Sequence, residues 1–277
     1  MMGKFNSDTL TCGTFSICDT LPLSAGWRDY LSYLTKFDSS GNPIWLKSYD
    51  KNININAIAI DTNERIFATG DLRNTVIWNR DTFNISDTAD IFVAKLNGTG
   101  NLSWAKTYTG TSWQSGTSIA VDKYDGIWIC GIFPNYYPSY SINFGGHVLT
   151  SDTTVGMDPL FLAQLDCSGN YLYGEILSGG SDDYCGIYLD NRGGMFLAGD
   201  IIDKNLILGA DTVFAIPVIG GYSESPFNAK YRYMMTNCLT EGIGQVEDSI
   251  GHDLVDIGIY PNPACEYILK KLCICQK

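Results

Sequence analysis

Residues 92 to 108 read FVAKLNGTGNLSWAKTY, and variants of the line recur as YLTKFDSSGNPIWLKSY at 33 to 49 and FLAQLDCSGNYLYGEIL at 161 to 177. The three align without a gap. A fourth copy opens as Phe227-Asn-Ala-Lys-Tyr231 and then departs, so Lys36, Lys95, Gln164 and Lys230 share one column at spacings of 59, 69 and 66 residues. Self-similarity at a long period marks a repeat architecture, in which each unit covers its apolar face on its neighbours.

Working outward, a second pattern follows each copy: Ala57-Ile-Ala-Ile-Asp61, Ser118-Ile-Ala-Val-Asp122 and Gly186-Ile-Tyr-Leu-Asp190. Each runs through a short turn into a strand ending in glycine, Arg65 to Gly70, Gly126 to Gly131 and Gly194 to Gly199. Asp or Asn followed three or four residues later by Gly or Asn supplies what a tight hairpin needs, a side-chain oxygen for local N–H groups and a residue that tolerates positive φ. The same chemistry recurs in Asp38-Ser-Ser-Gly41-Asn42, Asn97-Gly-Thr-Gly100-Asn101 and Asp166-Cys-Ser-Gly169-Asn170. Each repeat is therefore expected to be a meander of four strands. Tandem four-stranded meanders predict an all-β β-propeller whose first strand lines the axis and whose fourth, carrying Trp45, Trp104 or Tyr173, lies outermost.

FVAKLN-GTGNLSWAKTY, SIAVDKYDGIWICG and Ile142-Asn-Phe-Gly-Gly146 together resemble the bacterial SBBP family of β-propeller repeats, over most of residues 3 to 232. The third copy departs from that pattern at Tyr173 and Gln164. The resemblance implies display and adhesion on a large secreted or cell-surface protein, with no general enzymatic activity.

Gly3-Lys-Phe5 matches the steps that end the second strands, so the chain is expected to start inside a repeat. That places a partial blade over 1–50 and further blades from about 56, 117 and 186, within a propeller region of 1–235. About three and a half blades fall short of the usual minimum of about four for a ring, and the chain is expected to be part of a longer propeller. Residues 236–256 read as an acidic linker. The stretch 257–277 contains Tyr260-Pro261-Asn262-Pro263, which resembles the opening of the type IX secretion C-terminal sorting domain. Only fourteen residues follow Pro263, so that domain is expected to be truncated. The resemblance implies the type IX secretion machinery as a partner of the intact parent, and the outer surface or medium of a Gram-negative bacterium as its destination. No signal peptide is visible at the start.

Composition limits the remaining choices. The 277 residues hold 18 Lys and Arg against 30 Asp and Glu, a net charge of −12 that disfavours nucleic acid and anionic lipid. No apolar run reaches the ~20 residues of a membrane span. Nine cysteines at irregular spacing fit no disulfide framework and read as mostly buried thiols. Cys265, Cys273 and Cys275 cluster without the ligand spacing of zinc. Asp122, Asp125, Asp182 and Asp183 are hard oxygen donors without a calcium loop. No metal, cofactor or catalytic residue is therefore assigned. Asp38-Ser-Ser-Gly41-Asn-Pro-Ile-Trp45 is only distantly similar to the hairpin of sialidase-like glycoside hydrolases, and the arginines show no matching cluster.

In such a meander the long connections share one face: 71 to 89, 134 to 157 and 202 to 225. They bring Trp78, Tyr136, Tyr137 and Tyr140 to that face, with Trp113 from a connection between repeats, as candidate contacts for a protein or glycan ligand. Phe144 is expected instead to pack on its own sheet. The expected role is a binding or adhesive scaffold, with a purely structural stalk as the alternative.

Overall fold

The computed structural model describes residues 1–19, 30–85, 88–132, 139–152, 159–177, 185–190, 192–202, 206–208, 211–213, 224–232 and 254–259. The first repeat holds β1 (Met2–Phe5), a hairpin of β2 (Thr9–Cys12) and β3 (Phe15–Cys18), then β4 (Leu31–Phe37) and β5 (Pro43–Ser48). The second holds β6 (Ile53–Ile60), β7 (Ile66–Leu72), the hairpin β8 (Val76–Trp78) and β9 (Asp81–Phe83), then β10 (Asp90–Leu96) and β11 (Leu102–Gly110). In the third come β12 (Ser115–Val121), β13 (Ile127–Ile132), β14 (Ser139–Phe144), β15 (His147–Asp152), β16 (Leu160–Leu165) and β17 (Tyr171–Leu177). The fourth consists of β18 (Cys185–Leu189), β19 (Gly194–Ile202), β20 (Leu206–Leu208), β21 (Asp211–Val213), β22 (Glu224–Arg232) and β23 (Leu254–Ile259).

The architecture is all-β, built of small antiparallel sheets in the orders β1-β4-β5, β6-β7-β10-β11, β12-β13-β16-β17 and β18-β19-β22-β23. A short hairpin interrupts every repeat, between β1 and β4 in the first and between the second and third sheet strands in the other three. One of them, β14–β15, pairs Asn143 and Ile142 with Thr109 and Gly110 of β11, extending the second sheet to six strands. The long connections expected as ligand loops are thus partly occupied by hairpins. Among the described residues no helix is long and apolar enough to cross a membrane.

The turns form as the sequence dictates. Asp38, Asn97 and Asp166 each accept N–H groups two and four residues ahead on Oδ1. Asp61, Asp122 and Asp190 do the same before the second strand of their repeats. Gly41, Gly100 and Gly169 take positive φ of 82°, 73° and 75°, where a Cβ would be strained. A β-bulge follows at the equivalent place in all three hairpins, after Lys36, Lys95 and Gln164.

Alternation along each strand sends successive side chains to opposite faces, and both faces of the inner sheets are apolar. Phe92, Ala94 and Leu96 belong with Leu34, Ile53 and Ile55 to a core beside the first sheet. Phe67, Ile91 and Val93, from the opposite face, join Ile127, Ile129 and Phe161 of the third. Trp128, Cys130 and Leu162 then meet Leu189, Met195 and Leu197 of the fourth. Three cores therefore lie between successive sheets, which pack face to face in chain order.

The reading of the cysteines needs correction. Cys130 in β13 and Cys185 in β18 form a disulfide across the third and fourth sheets, 55 residues apart with Cα atoms at 6.2 Å. Their spacing is irregular in sequence because the partners belong to different repeats. In the last sheet β23 pairs with β22, Ile257 opposite Ala229 and Ile259 opposite Phe227. Residues 254 to 259 thus supply the fourth strand of the last sheet. The sorting motif Tyr260, Pro261, Asn262 and Pro263 lies outside the described residues.

Candidate functional site

The alternation Asn52-Ile-Asn-Ile-Asn56 puts Asn54 and Asn56 on one face of β6, opposite the isoleucines that enter the core. That face looks onto a cavity of about 540 Å³ between β1, β6 and β12, lined by Lys4, Asn54, Asn56, Asp71, Trp113 and Ser115 among others. Asp71 is its charged anchor. Only 1% exposed, it accepts from Asn54 Nδ2 at 2.7 Å and Ser115 Oγ at 2.9 Å on one oxygen, and from Arg73 Nε at 3.1 Å on the other. Burying a carboxylate requires this degree of pairing, since an unpaired charge in a low-dielectric interior is strongly disfavoured.

The network continues outward. Asn56 Nδ2 donates to Ser115 Oγ at 2.8 Å and to the Gly116 carbonyl at 3.1 Å, while its Oδ1 accepts from Lys4 Nζ at 2.9 Å. Desolvation lowers the Lys4 pKa, and the Asp71 charge acts in the opposite direction. Trp113, half-buried, forms a wall of the cavity and is held by an isolated bridge to Ala89. One wall is thus an indole, and the others combine apolar groups from Met2, Ile55 and Ile132 with amides, hydroxyls and the Lys4 ammonium.

A second cavity of about 400 Å³ opens between β4 and β6, lined by Leu34, Phe37, Trp45, Ile58 and Ile66, and includes the Lys36–Glu64 ion pair at 2.8 Å. Its lining is mainly apolar.

Of the aromatic residues expected on a ligand face, Trp113 lines the larger of these two cavities. Trp78 is 7% exposed and packs edge-on against Tyr49 and Phe92, with centroids 5.6 and 5.7 Å away, so it is a core residue. The reason is its position in β8, whose alternation turns Val76 and Trp78 inward and Ile77 outward. Tyr140 lies in β14 opposite Ser151; Tyr136 and Tyr137 fall outside the described residues. Phe144 is buried against Tyr108, Phe161 and Tyr171 and packs on its own sheet. Asp122 serves its turn, and Asp125 pairs with Arg65 and with Lys95 Nζ at 3.1 Å.

Sequence reasoning missed Lys4, Asn54, Asn56, Asp71 and Ser115. The Asn-Ile alternation was a legible signal for two of them; the other three meet only through the packing of three different repeats. A comparison of the chain with protein-family models gives no match, and neither does one with curated proteins.

Proposed function

We propose that the four sheets are blades of a β-propeller and that the protein is a secreted or surface-displayed binding scaffold whose ligand is a glycan held in the Trp113 cavity. The observation that carries this reading is the cavity's lining. An aromatic wall suits the apolar face of a sugar ring, and the amide, hydroxyl and ammonium groups that the buried Asp71 holds in place suit its hydroxyls. Face-to-face packing of successive meanders supports the propeller geometry. A disulfide between sheets supports an oxidising, extracellular setting. The resemblances to SBBP repeats and to a type IX sorting motif favour the same address, with the type IX machinery as export partner of the parent.

The test is a glycan array probed with the purified chain. Binding to a defined set of glycans, lost in Trp113→Ala and Asn54→Ala proteins with unchanged circular dichroism, is the expected result. Silence across the array, or binding that both variants retain, would overturn it. The second reading, a structural stalk, is favoured by the side-chain contacts that repeat from sheet to sheet, and silence on the array would point to it.

A further inference from the structure

The outer strands of the first two sheets carry Trp-x-Lys-x-Tyr, and each lays these side chains on the hairpin turn of the next sheet. Lys47 Nζ donates to Asn101 Oδ1 at 2.5 Å, and Lys106 Nζ to Asn170 Oδ1 at 2.6 Å. The Tyr49 and Tyr108 hydroxyls donate to the Gly100 and Gly169 carbonyls. Over the same glycines lie the Trp45 and Trp104 rings, which a Cβ on Gly100 or Gly169 would meet at 3.0 and 3.1 Å. The turn is a socket and the strand is its plug.

Plug and socket disappear together. The third outer strand reads Tyr173-x-Glu175-x-Leu177, and the fourth repeat has no Ser-Gly-Asn or Thr-Gly-Asn turn after Tyr231 for it to meet. At the other end the socket survives by itself. Asp38-Ser-Ser-Gly41-Asn42 repeats the fold of its counterparts: Oδ1 of Asp38 accepts from Ser40 and Asn42, and Asn42 Nδ2 donates to Asp38 Oδ2 at 3.0 Å as Asn170 Nδ2 does to Asp166 at 2.7 Å. This fixes the amide of Asn42 in the orientation that in Asn170 leaves Oδ1 for a lysine. Yet among the described residues Gly41 is exposed with nothing within 4 Å of a Cβ built on it, whereas Gly100 and Gly169 are buried.

We infer that the Asp38–Asn42 turn is a docking site for one further sheet of this repeat, contributed by a polypeptide segment outside these 277 residues, whose outer strand reads Trp-x-Lys-x-Tyr. A second copy of the chain cannot supply it. The sequence contains that motif only at 45–49 and 104–108, and both copies already fill sockets of their own chain. The occupant's chemistry follows from the two filled sites: an indole over Gly41, an ammonium on Asn42 Oδ1 and a phenol on the Gly41 carbonyl. Large aromatic anchors of this kind dominate the energetics of such interfaces.

The test uses the full chain with the strand LSWAKTYTG, a copy of residues 102–110, tethered ahead of Met1 by a flexible Gly/Ser linker of about 20 residues. The Met1 ammonium is bonded to the Thr35 carbonyl, three residues before Asp38, so a linker spanning roughly 25 Å reaches the turn and holds the strand at about millimolar effective concentration. The control tether has its Trp, Lys and Tyr replaced by Ala. Shifts of the Ser39–Asn42 amide resonances with the native tether alone, slowing of Gly41 amide exchange by tenfold or more, and loss of both in the Asn42→Ala chain are expected. Identical spectra for the two tethers, or shifts confined to the Gly100 and Gly169 turns, would overturn the assignment.

Discussion

Tyr108 in β11 donates its hydroxyl to the Gly169 carbonyl 2.8 Å away, bridging the second and third sheets through a buried bond. Burial raises the phenol's pKa far above its ordinary value, so the donor keeps its proton throughout the range in which the protein is handled. Phe in its place keeps the ring contact with Phe144 and deletes only the bond. Tyr108→Phe is expected to lower stability by about 1–2 kcal/mol, read as a fall in the urea midpoint with unchanged m-value. Tyr49→Phe removes the corresponding contact to Gly100, which is longer at 3.4 Å, and is expected to cost less.

Gly131 lies one residue before the end of β13, opposite Gly116 and next to a bulge in β12. A Cβ there would lie 2.1 Å from that oxygen and 2.6 Å from the Phe161 ring, so backbone has to move. Gly131→Ala is expected to destabilise by about 2–3 kcal/mol, the cost of overpacking a close-packed site. Gly186→Ala is the control, since its nearest contact would be an ordinary 3.8 Å. Thermal melts of the two variants should separate clearly, and equal melting temperatures would show that the bulge yields freely.

How much of this was legible beforehand follows from the range of each interaction. The turns at Asp38, Asp61, Asn97, Asp122, Asp166 and Asp190 close within five residues, and their chemistry is written in adjacent letters. Meander order followed, because short turns leave antiparallel neighbours no alternative. Contacts between repeats were harder. Lys95 with Asp125 and Lys36 with Glu64 are equivalent pairs, each joining one repeat to the next, and the third such pair changes both members, to Gln164 and Gly193; only the packed sheets reveal that the two columns meet. Trp78 belongs to the core and not to an exposed loop, because the Val76-Ile-Trp78 alternation within the long connection makes a half-buried strand.

The Cys130–Cys185 disulfide closes a loop across two sheets, and cross-linking residues 55 apart restricts the unfolded chain by about 4 kcal/mol in the loop-entropy account. Cys130→Ser is expected to lower the melting temperature of the third and fourth sheets. Non-reducing peptide mapping should recover the two cysteines in one cross-linked peptide. Recovery of both as alkylated thiols from protein refolded under oxidising conditions would contradict the pairing.

Glu175 occupies in β17 the column that Lys47 and Lys106 hold in the two preceding outer strands. Burial raises its carboxyl pKa, and a bond from Tyr173 offsets this only in part; among the described residues its Oε1 has no hydrogen-bond partner. Because the folded state favours the protonated acid, folding takes up a proton between the ordinary value of 4.5 and the raised one. The stability Glu175 contributes is therefore complete below 4.5 and is lost as pH rises through its folded-state value. Glu175→Gln holds the side chain neutral at every pH. The variant is expected to be more stable than the parent at pH 7 and to converge with it below 4.5 in urea titrations run across that range. A parent that is the more stable of the two at pH 7 would mean that the carboxylate is charged and paired in the fold.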